Sequence, residues 1–285
     1  MTTINELNTI AQPNWCPGCG NFAILMALKN AVIQLNTPVE NFLLVSGIGC
    51  SGKLPHWIKL FGFHGIHGRA LPVATGAKLA NHKLTVIAHV GDGDCYSIGT
   101  NHFIHAARRN INMTCLAHNN QIYGLTKGQA GPTSDKGVKT KTTPRGNFET
   151  PINPLALAMT SGATFVARGF AGDVDHLTSL IVSAIKHKGF ALVDILQPCV
   201  TFNKVNTYSW YKKRSYKLDK KYDPSDKEEA FKKANQWGRK IPIGIIYQEK
   251  KQPSYEDELP QIKRNPLVKH SISNVSVKPF LEELM

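Results

Sequence analysis

The sequence predicts an α/β protein built on an open, doubly wound parallel sheet, and three observations carry that expectation. Strand-length apolar segments alternate with helix-length amphipathic ones. The strand segments are continuously apolar rather than alternating in polarity, as parallel strands covered on both faces are. A chain of 285 residues is also long enough to bury a sizeable core.

In chain order the elements run as follows. A helix is expected over about 21–35, then a strand at Phe42-Leu43-Leu44-Val45-Ser46. A helix over 69–81 leads to a strand at Leu84-Thr85-Val86-Ile87-Ala88, and a helix over 97–109 to one at Asn112-Met113-Thr114-Cys115-Leu116-Ala117. A helix over 153–161 precedes Thr164-Phe165-Val166-Ala167. The helix over 173–188 is the best defined: Asp173 is placed to cap it, Val174, Leu177, Leu180, Ile181, Ala184 and Ile185 share a face, and Gly189 stops it. Phe190-Ala191-Leu192-Val193-Asp194-Ile195 closes the series.

Charge divides the chain. Residues 1–205 hold 17 basic and 9 acidic residues in a Gly-rich, apolar background, whereas 206–285 pack 17 basic and 11 acidic residues into 80 positions. The second segment is expected to be a basic C-terminal extension that cannot bury a comparable core and lies as an arm over a surface, wrapping a partner subunit. Within it, a short helix over 226–237 and an apolar run over 241–247 stand out.

The formal net charge of +14 implies an acidic partner without choosing among nucleic acid, membrane and protein. No apolar run approaches the ~18 residues of a membrane helix. The start, Met1 to Glu6, lacks the features of a secretory signal, so a cytoplasmic protein is expected. Six cysteines are too few for a disulfide scaffold and suit metal binding or burial better.

Two loops at strand ends carry the first chemistry. Gly91-Asp92-Gly93-Asp94 follows one strand and Asn119-Asn120-Gln121-Ile122-Tyr123-Gly124 the next, where open α/β sheets bind ligands. Glycines let the backbone approach a phosphate, and a helix amino terminus near Ser97 would face it. Asp92 offers a hard carboxylate and Asn120 an amide oxygen, which with a main-chain carbonyl suit magnesium. Each loop alone reads equally well as a plain turn. Together, with 27 residues from Asp92 to Asn119, they resemble the thiamine diphosphate signature. By that resemblance Asp92, Asn120 and the carbonyl of Ile122 hold Mg2+.

The cysteines carry the second chemistry. Cys16-Pro17-Gly18-Cys19 is half of a zinc or iron–sulfur site. Cys50 follows the first strand and Cys199 the strand ending near Ile195, both at the sheet edge of Gly91. Cys95 competes with Cys199 for the fourth place, and Cys115 sits inside a strand as a small hydrophobe. Spacing does not separate zinc from iron–sulfur.

Five motifs occur in order: Trp15 to Gly20, Gly47-Ile48-Gly49-Cys50-Ser51-Gly52-Lys53, His67-Gly68-Arg69-Ala70-Leu71-Pro72, Gly91 to Asp94, and Asn119 to Gln129. Over about residues 12–205 the chain resembles the β subunit of the 2-oxoacid:ferredoxin oxidoreductases, most closely the 2-oxoglutarate branch. The resemblance implies a sheet of the thiamine diphosphate-binding type, with Cys16, Cys19, Cys50 and Cys199 holding a [4Fe-4S] cluster near that cofactor. It implies coenzyme A-dependent oxidative decarboxylation of a 2-oxoacid, 2-oxoglutarate before pyruvate, with electrons passing to ferredoxin.

Ile48, Gly49, Ser51, His67, Gly68, Gly91, Asp92, Gly93, Asp94, Asn120, Ile122, Gly124 and Leu125 are the expected cofactor contacts. Lys53 is expected to meet the substrate carboxylate as a point charge, His67 to touch the cofactor or shuttle a proton, and Leu125 to shape the substrate pocket. His64, His105 and His118 read as packed or solvent-facing, and Arg69 as a phosphate contact or a helix-start residue.

Nothing resembles a pyrimidine-binding half with its glutamate. An α subunit is therefore expected to supply it, in a heterodimer or a dimer of heterodimers. Acidic ferredoxin and the anionic cofactor, coenzyme A and oxoacid then account for the positive charge. Two other readings remain: a non-redox thiamine diphosphate enzyme half with structural zinc, and a zinc-stabilised nucleic-acid-binding protein. The second has only scattered basic residues in its favour, so neither nucleic acid nor membrane is an expected partner.

Overall fold

The computed structural model describes residues 2–263, 265–273 and 275–285. In chain order its elements begin with α1 (Gly20–Leu35), β1 (Phe42–Ser46), β2 (Phe61–His64), α2 (Ala70–Ala80), β3 (Thr85–Gly91), α3 (Thr100–Arg108) and β4 (Met113–Asn119). There follow the short pair β5 (Ile122–Tyr123) and β6 (Gln129–Ala130), then α4 (Pro154–Thr160), β7 (Phe165–Phe170), α5 (Val174–Lys186) and β8 (Phe190–Leu196). The C-terminal part adds α6 (Tyr208–Lys212), β9 (Ser215–Lys217), α7 (Lys227–Ala234), β10 (Ile241–Gln248) and α8 (Lys278–Glu282).

Every helix and strand expected through residue 195 is present with ends shifted by a few residues, and local chemistry explains the best of them. The Asp173 carboxylate accepts the His176 N–H at 3.2 Å and so caps α5. Asn153 caps α4 in the same way, with Pro154 preset for the first turn. The expected helix start near Ser97 differs: Asp94–Ile98 form a wide helical turn and α3 begins only at Thr100.

Eight strands form one sheet in the order β2-β1-β3-β4-β8-β7-β10-β9. All pairs are parallel except β10 with β7. Side chains alternate between two cores. Leu44, Ile87, Leu116, Ala191 and Val193 pack under α1 and α5; Val45, Val86, Ala88, Cys115 and Leu192 pack on the opposite face with residues of α2, α3, α4 and α7. Burial on both faces is why these strands read as unbroken apolar runs.

The C-terminal segment departs from the expected arm. Its apolar run becomes β10, which pairs antiparallel with β7 and buries Ile241, Ile243 and Ile246. Tyr211 is fully buried beside Phe170, and Ala230 and Ala234 of α7 join the core. The described residues from Leu267 onward are exposed. Among the described residues, no helix is long and apolar enough to cross a membrane.

The sheet places the site. From β1 the chain moves outward to β2, then returns past β1 to β3, so strand order reverses between β1 and β3. A crevice opens at such a switch point beyond the strand carboxyl ends. The loops that enter it here are Gly47–Cys50 after β1 and Gly91–Asp94 after β3.

Candidate functional site

A cavity of ≈ 210 Å³ occupies this crevice. Every expected cofactor contact lines it except Gly68, and Cys50, Tyr123 and Thr126 complete the wall. Gly68 stands behind it: its N–H donates to Asp94 Oδ1 at 2.6 Å, a support rather than a contact. His67 Nδ1 lies 2.9 Å from the same oxygen, close enough for an ion pair though misaligned for a hydrogen bond. Asp94 thereby anchors the His67 loop.

Close packing of the two loops dictates their residue types. A Cβ on Gly93 would stand 2.1 Å from the Tyr123 ring, so any larger residue would have to displace that ring. Gln121 adopts a left-handed φ of 58°, which costs a non-glycine residue ~1 kcal/mol. It is pinned by Tyr211 Oη, which donates to its side-chain oxygen at 2.8 Å, and by the Thr133 carbonyl, which accepts from its amide at 2.7 Å. That kink turns the chain between Asn120 and Ile122, so that both face the cavity.

Asp92 is buried, and burial pushes its carboxyl up to about 7. The hydroxyl of Thr133, 2.7 Å from Oδ2, opposes the shift without cancelling it. A buried carboxylate this poorly compensated, beside an amide oxygen and a backbone carbonyl, has the hard-oxygen chemistry that suits magnesium. Thr133 also lies 2.8 Å from Asn119 Oδ1, and Asn119 donates to Asp194 at 3.1 Å.

The four cysteines singled out in the sequence line a second cavity of ≈ 200 Å³. Trp15 docks their first loop: its indole N–H donates to the Cys50 carbonyl at 2.7 Å, and its ring packs edge-on against Phe22 and Trp57. The Cys16–Cys19 turn closes with Cys19 N–H donating to Cys16 O at 2.9 Å. The loop carrying Cys199 is tied to the neighbouring cavity where Asn203 donates to the Asn120 carbonyl at 3.1 Å. Cys95 and Cys115 are buried in the sheet core on its far face, away from this cavity.

The thiols ring a space. Among the described residues, no three His, Cys, Asp or Glu side chains converge tightly enough to hold one metal ion. Tetrahedral zinc would draw its sulfurs to ~2.3 Å from a single point. Burial pushes the Cys19 thiol up to about 11 and raises Cys50 as well, so the pocket disfavours bare thiolates. A polynuclear cationic guest fits this donor set.

Cys50, Asn120, Gly124 and Leu125 line both cavities. A Cβ placed on Gly124 would lie 3.6 Å from both Cys50 Sγ and Cys199 Sγ, so the wall between the sites is one residue thick.

Lys53 lines the cysteine cavity, not the cofactor cavity, and donates to Asn14 at 3.3 Å. Leu125 is exposed at the shared rim. Of the remaining residues, His64 pairs with His56 at 2.8 Å, His118 is buried against Asn21, and Arg69 is an exposed helix-start residue. Sequence reasoning missed Thr133 and Gln197. Both contact ligand candidates through tertiary structure, and only the place of Gln197 two residues before Cys199 gave a signal.

Family models place these features. Residues 47–195 match the thiamine pyrophosphate enzyme C-terminal TPP-binding domain, and 199–264 match the C-terminal part of the pyruvate ferredoxin oxidoreductase β subunits. A 2-oxoacid:ferredoxin oxidoreductase subunit β from Sulfolobus sp is 52% identical over 259 residues, covering 86% of this chain and 85% of the relative. The 2-oxoglutarate oxidoreductase subunit KorB of Mycobacterium tuberculosis is 51% identical over 189 residues, 66% of this chain and 51% of the relative. A solved structure superposes with a TM-score of 0.91 at 38% identity, covering 100% of this chain and 96% of the other. It is the 2-oxoglutarate:ferredoxin oxidoreductase from Magnetococcus marinus with 2-oxoglutarate, coenzyme A and succinyl-CoA bound.

Proposed function

Because this chain belongs to the β subunits of the 2-oxoacid:ferredoxin oxidoreductases, we propose that it binds thiamine diphosphate and a [4Fe-4S] cluster side by side. In this reading the αβ enzyme oxidises 2-oxoglutarate with coenzyme A to succinyl-CoA and CO2, delivering two electrons to ferredoxin. The observation that carries it is the shared wall at Gly124, which puts both cavities within contact of one residue.

Asp92, Asn120 and the Ile122 carbonyl hold Mg2+, and through it the diphosphate. Thiamine diphosphate, when bound, supplies the electron sink that lets CO2 leave a 2-oxoacid. Ile48, Gly49, Ser51, Gly91 and Gly93 bring backbone close to the diphosphate and exclude water. His67, oriented by Asp94, offers a proton donor or acceptor at the rim. Cys16, Cys19, Cys50 and Cys199 ligate the cluster. Lys53 gives a positive charge beside it for the substrate carboxylate, and Leu125 shapes the entrance.

The β-subunit family implies an α-subunit partner. In this reading that partner supplies the pyrimidine-binding module with its glutamate. Ile48 and Leu125 are exposed at the rim, Ile98 beside Gly68, and Phe61, Phe63 and Ile66 on and beside the edge strand β2. We assign this apolar surface to the α subunit.

The test is anaerobic co-expression with the α subunit, followed by ferredoxin reduction across a panel of 2-oxoacids with coenzyme A. Fastest turnover with 2-oxoglutarate, by a brown protein that bleaches with dithionite, is the expected result. A colourless zinc protein that decarboxylates without reducing ferredoxin would overturn the reading.

A further inference from the structure

We propose that Gln197 is a positioning residue that sets the reduction potential of the four-cysteine site, by donating its side-chain amide to the Cys19 sulfur. The inference rests on the iron–sulfur reading given above and adds a residue that the ligand motif does not contain.

Gln197 follows the last residue of β8 and is 1% exposed. Its Nε2 stands 3.4 Å from Cys19 Sγ, a normal separation for a donor to sulfur. Its backbone is fixed by donation to the Asn119 carbonyl at 3.0 Å, which ties the β8 end to the loop of the Mg2+ candidates. The room for its side chain is reserved at Gly20, where a Cβ would stand 2.7 Å from Gln197 Cγ. The first helical residue after Cys19 must therefore be small for Gln197 to reach the sulfur.

The orientation of the amide is forced by charge. With Oε1 turned inward, an acceptor would face a metal-bound thiolate. With Nε2 inward the sulfur gains a donor, and Oε1 is left without a partner among the described residues. The neighbouring Asn21 side chain is held by His118 at 2.7 Å. Cys19 thus receives the Gln197 donor inside the protein, whereas Cys16 faces solvent.

Donors on a ligand sulfur stabilise the more negatively charged, reduced cluster. The step affected is the arrival of one electron: no bond forms or breaks, and no proton moves. Gln197 therefore makes the cluster a better acceptor for electrons leaving the thiamine side.

The experiment uses the αβ holoenzyme prepared anaerobically. Iron and sulfide content and the EPR signal of the dithionite-reduced protein come first; absence of a cluster overturns the iron–sulfur reading itself. With the cluster present, Gln197→Met keeps length and removes the donor. Its midpoint potential is expected to fall, with up to a tenfold loss in the equilibrium constant for reduction, ~59 mV for one electron. Gln197→Glu is expected to fall further. An unchanged potential in Gln197→Met with full iron content overturns the proposal.

If both variants lose the cluster, the wild-type enzyme decides. Glutamine labelled with 15N in its side chain is expected to give a nitrogen coupling to the reduced cluster in pulsed EPR. Its absence overturns the proposal.

Discussion

The two cavities are built by opposite strategies although one residue separates them. The cofactor cavity comes from loops at one edge of the sheet, after β1, β3 and β4 and before α2, packed until a Cβ on Gly93 would run into the Tyr123 ring, with Gln121 held in a left-handed turn. The cysteine cavity gathers four segments distant in sequence, held by long tethers such as Trp15 to Cys50 and Asn203 to Asn120. The first is shaped by backbone sterics around the buried Asp92. The second is a ring of four thiols, two of them pushed up by burial, so its order should depend on its guest.

Removing a group that serves only one cavity separates the two. Asp92→Ala should abolish Mg2+-dependent binding of thiamine diphosphate, by roughly 100-fold or more, while iron content stays full. Titration of cofactor into the variant measures it, and retained affinity would refute the metal assignment.

The reciprocal change is Cys199→Ser, which should lose the cluster while Cys95→Ser keeps it, because Cys95 lies in the core and not in the ring. Iron and sulfide analysis of the two variants separates them. The Cys199 variant should also melt earlier, since a guest that binds only the folded state stabilises it.

A smaller effect belongs to Lys53, which the fold places on the cluster side of the shared wall. Lys53→Ala should raise KM for the 2-oxoacid about tenfold, equivalent to ~1.4 kcal/mol, with kcat little changed. A fall in kcat at constant KM would move Lys53 from substrate binding to chemistry.

The smallest effect is a pH dependence special to the cofactor cavity. Asp92 is raised from 3.8 to about 7, so between those values the fold keeps a proton that the unfolded chain releases. Stability of the cofactor-free protein therefore falls as pH rises through that window. Asp194, raised to about 6 by burial, acts in the same direction. Added Mg2+ and thiamine diphosphate should stabilise increasingly across the same window, because the cation favours ionised Asp92. Calorimetry with and without ligand checks the sign, and Asp92→Asn should flatten the slope.

Legibility followed the same divide. Residues at strand ends, such as Asp92, Asn120 and Cys50, were readable because sheet topology alone brings those ends together. Thr133 and Gln197 were not, because their partners Asp92 and Cys19 lie 41 and 178 residues away. The β10 segment was visible as an apolar run, yet the charge around it concealed that Ile241, Ile243 and Ile246 are inserted into the core. Strand β2, Phe61 to His64, is short, exposed and interrupted by glycine, so it left no apolar signal.

Electron flow between the two adjacent cavities can be followed in a single experiment. The anaerobic αβ enzyme is mixed with 2-oxoglutarate and coenzyme A, and the cluster is followed by EPR with and without Mg2+ and thiamine diphosphate. Substrate-dependent reduction of the cluster is expected only when both are present, and is expected to be lost in Asp92→Ala although its iron is retained. Reduction by substrate in that variant, or decarboxylation that leaves a fully loaded cluster oxidised, would contradict this expectation.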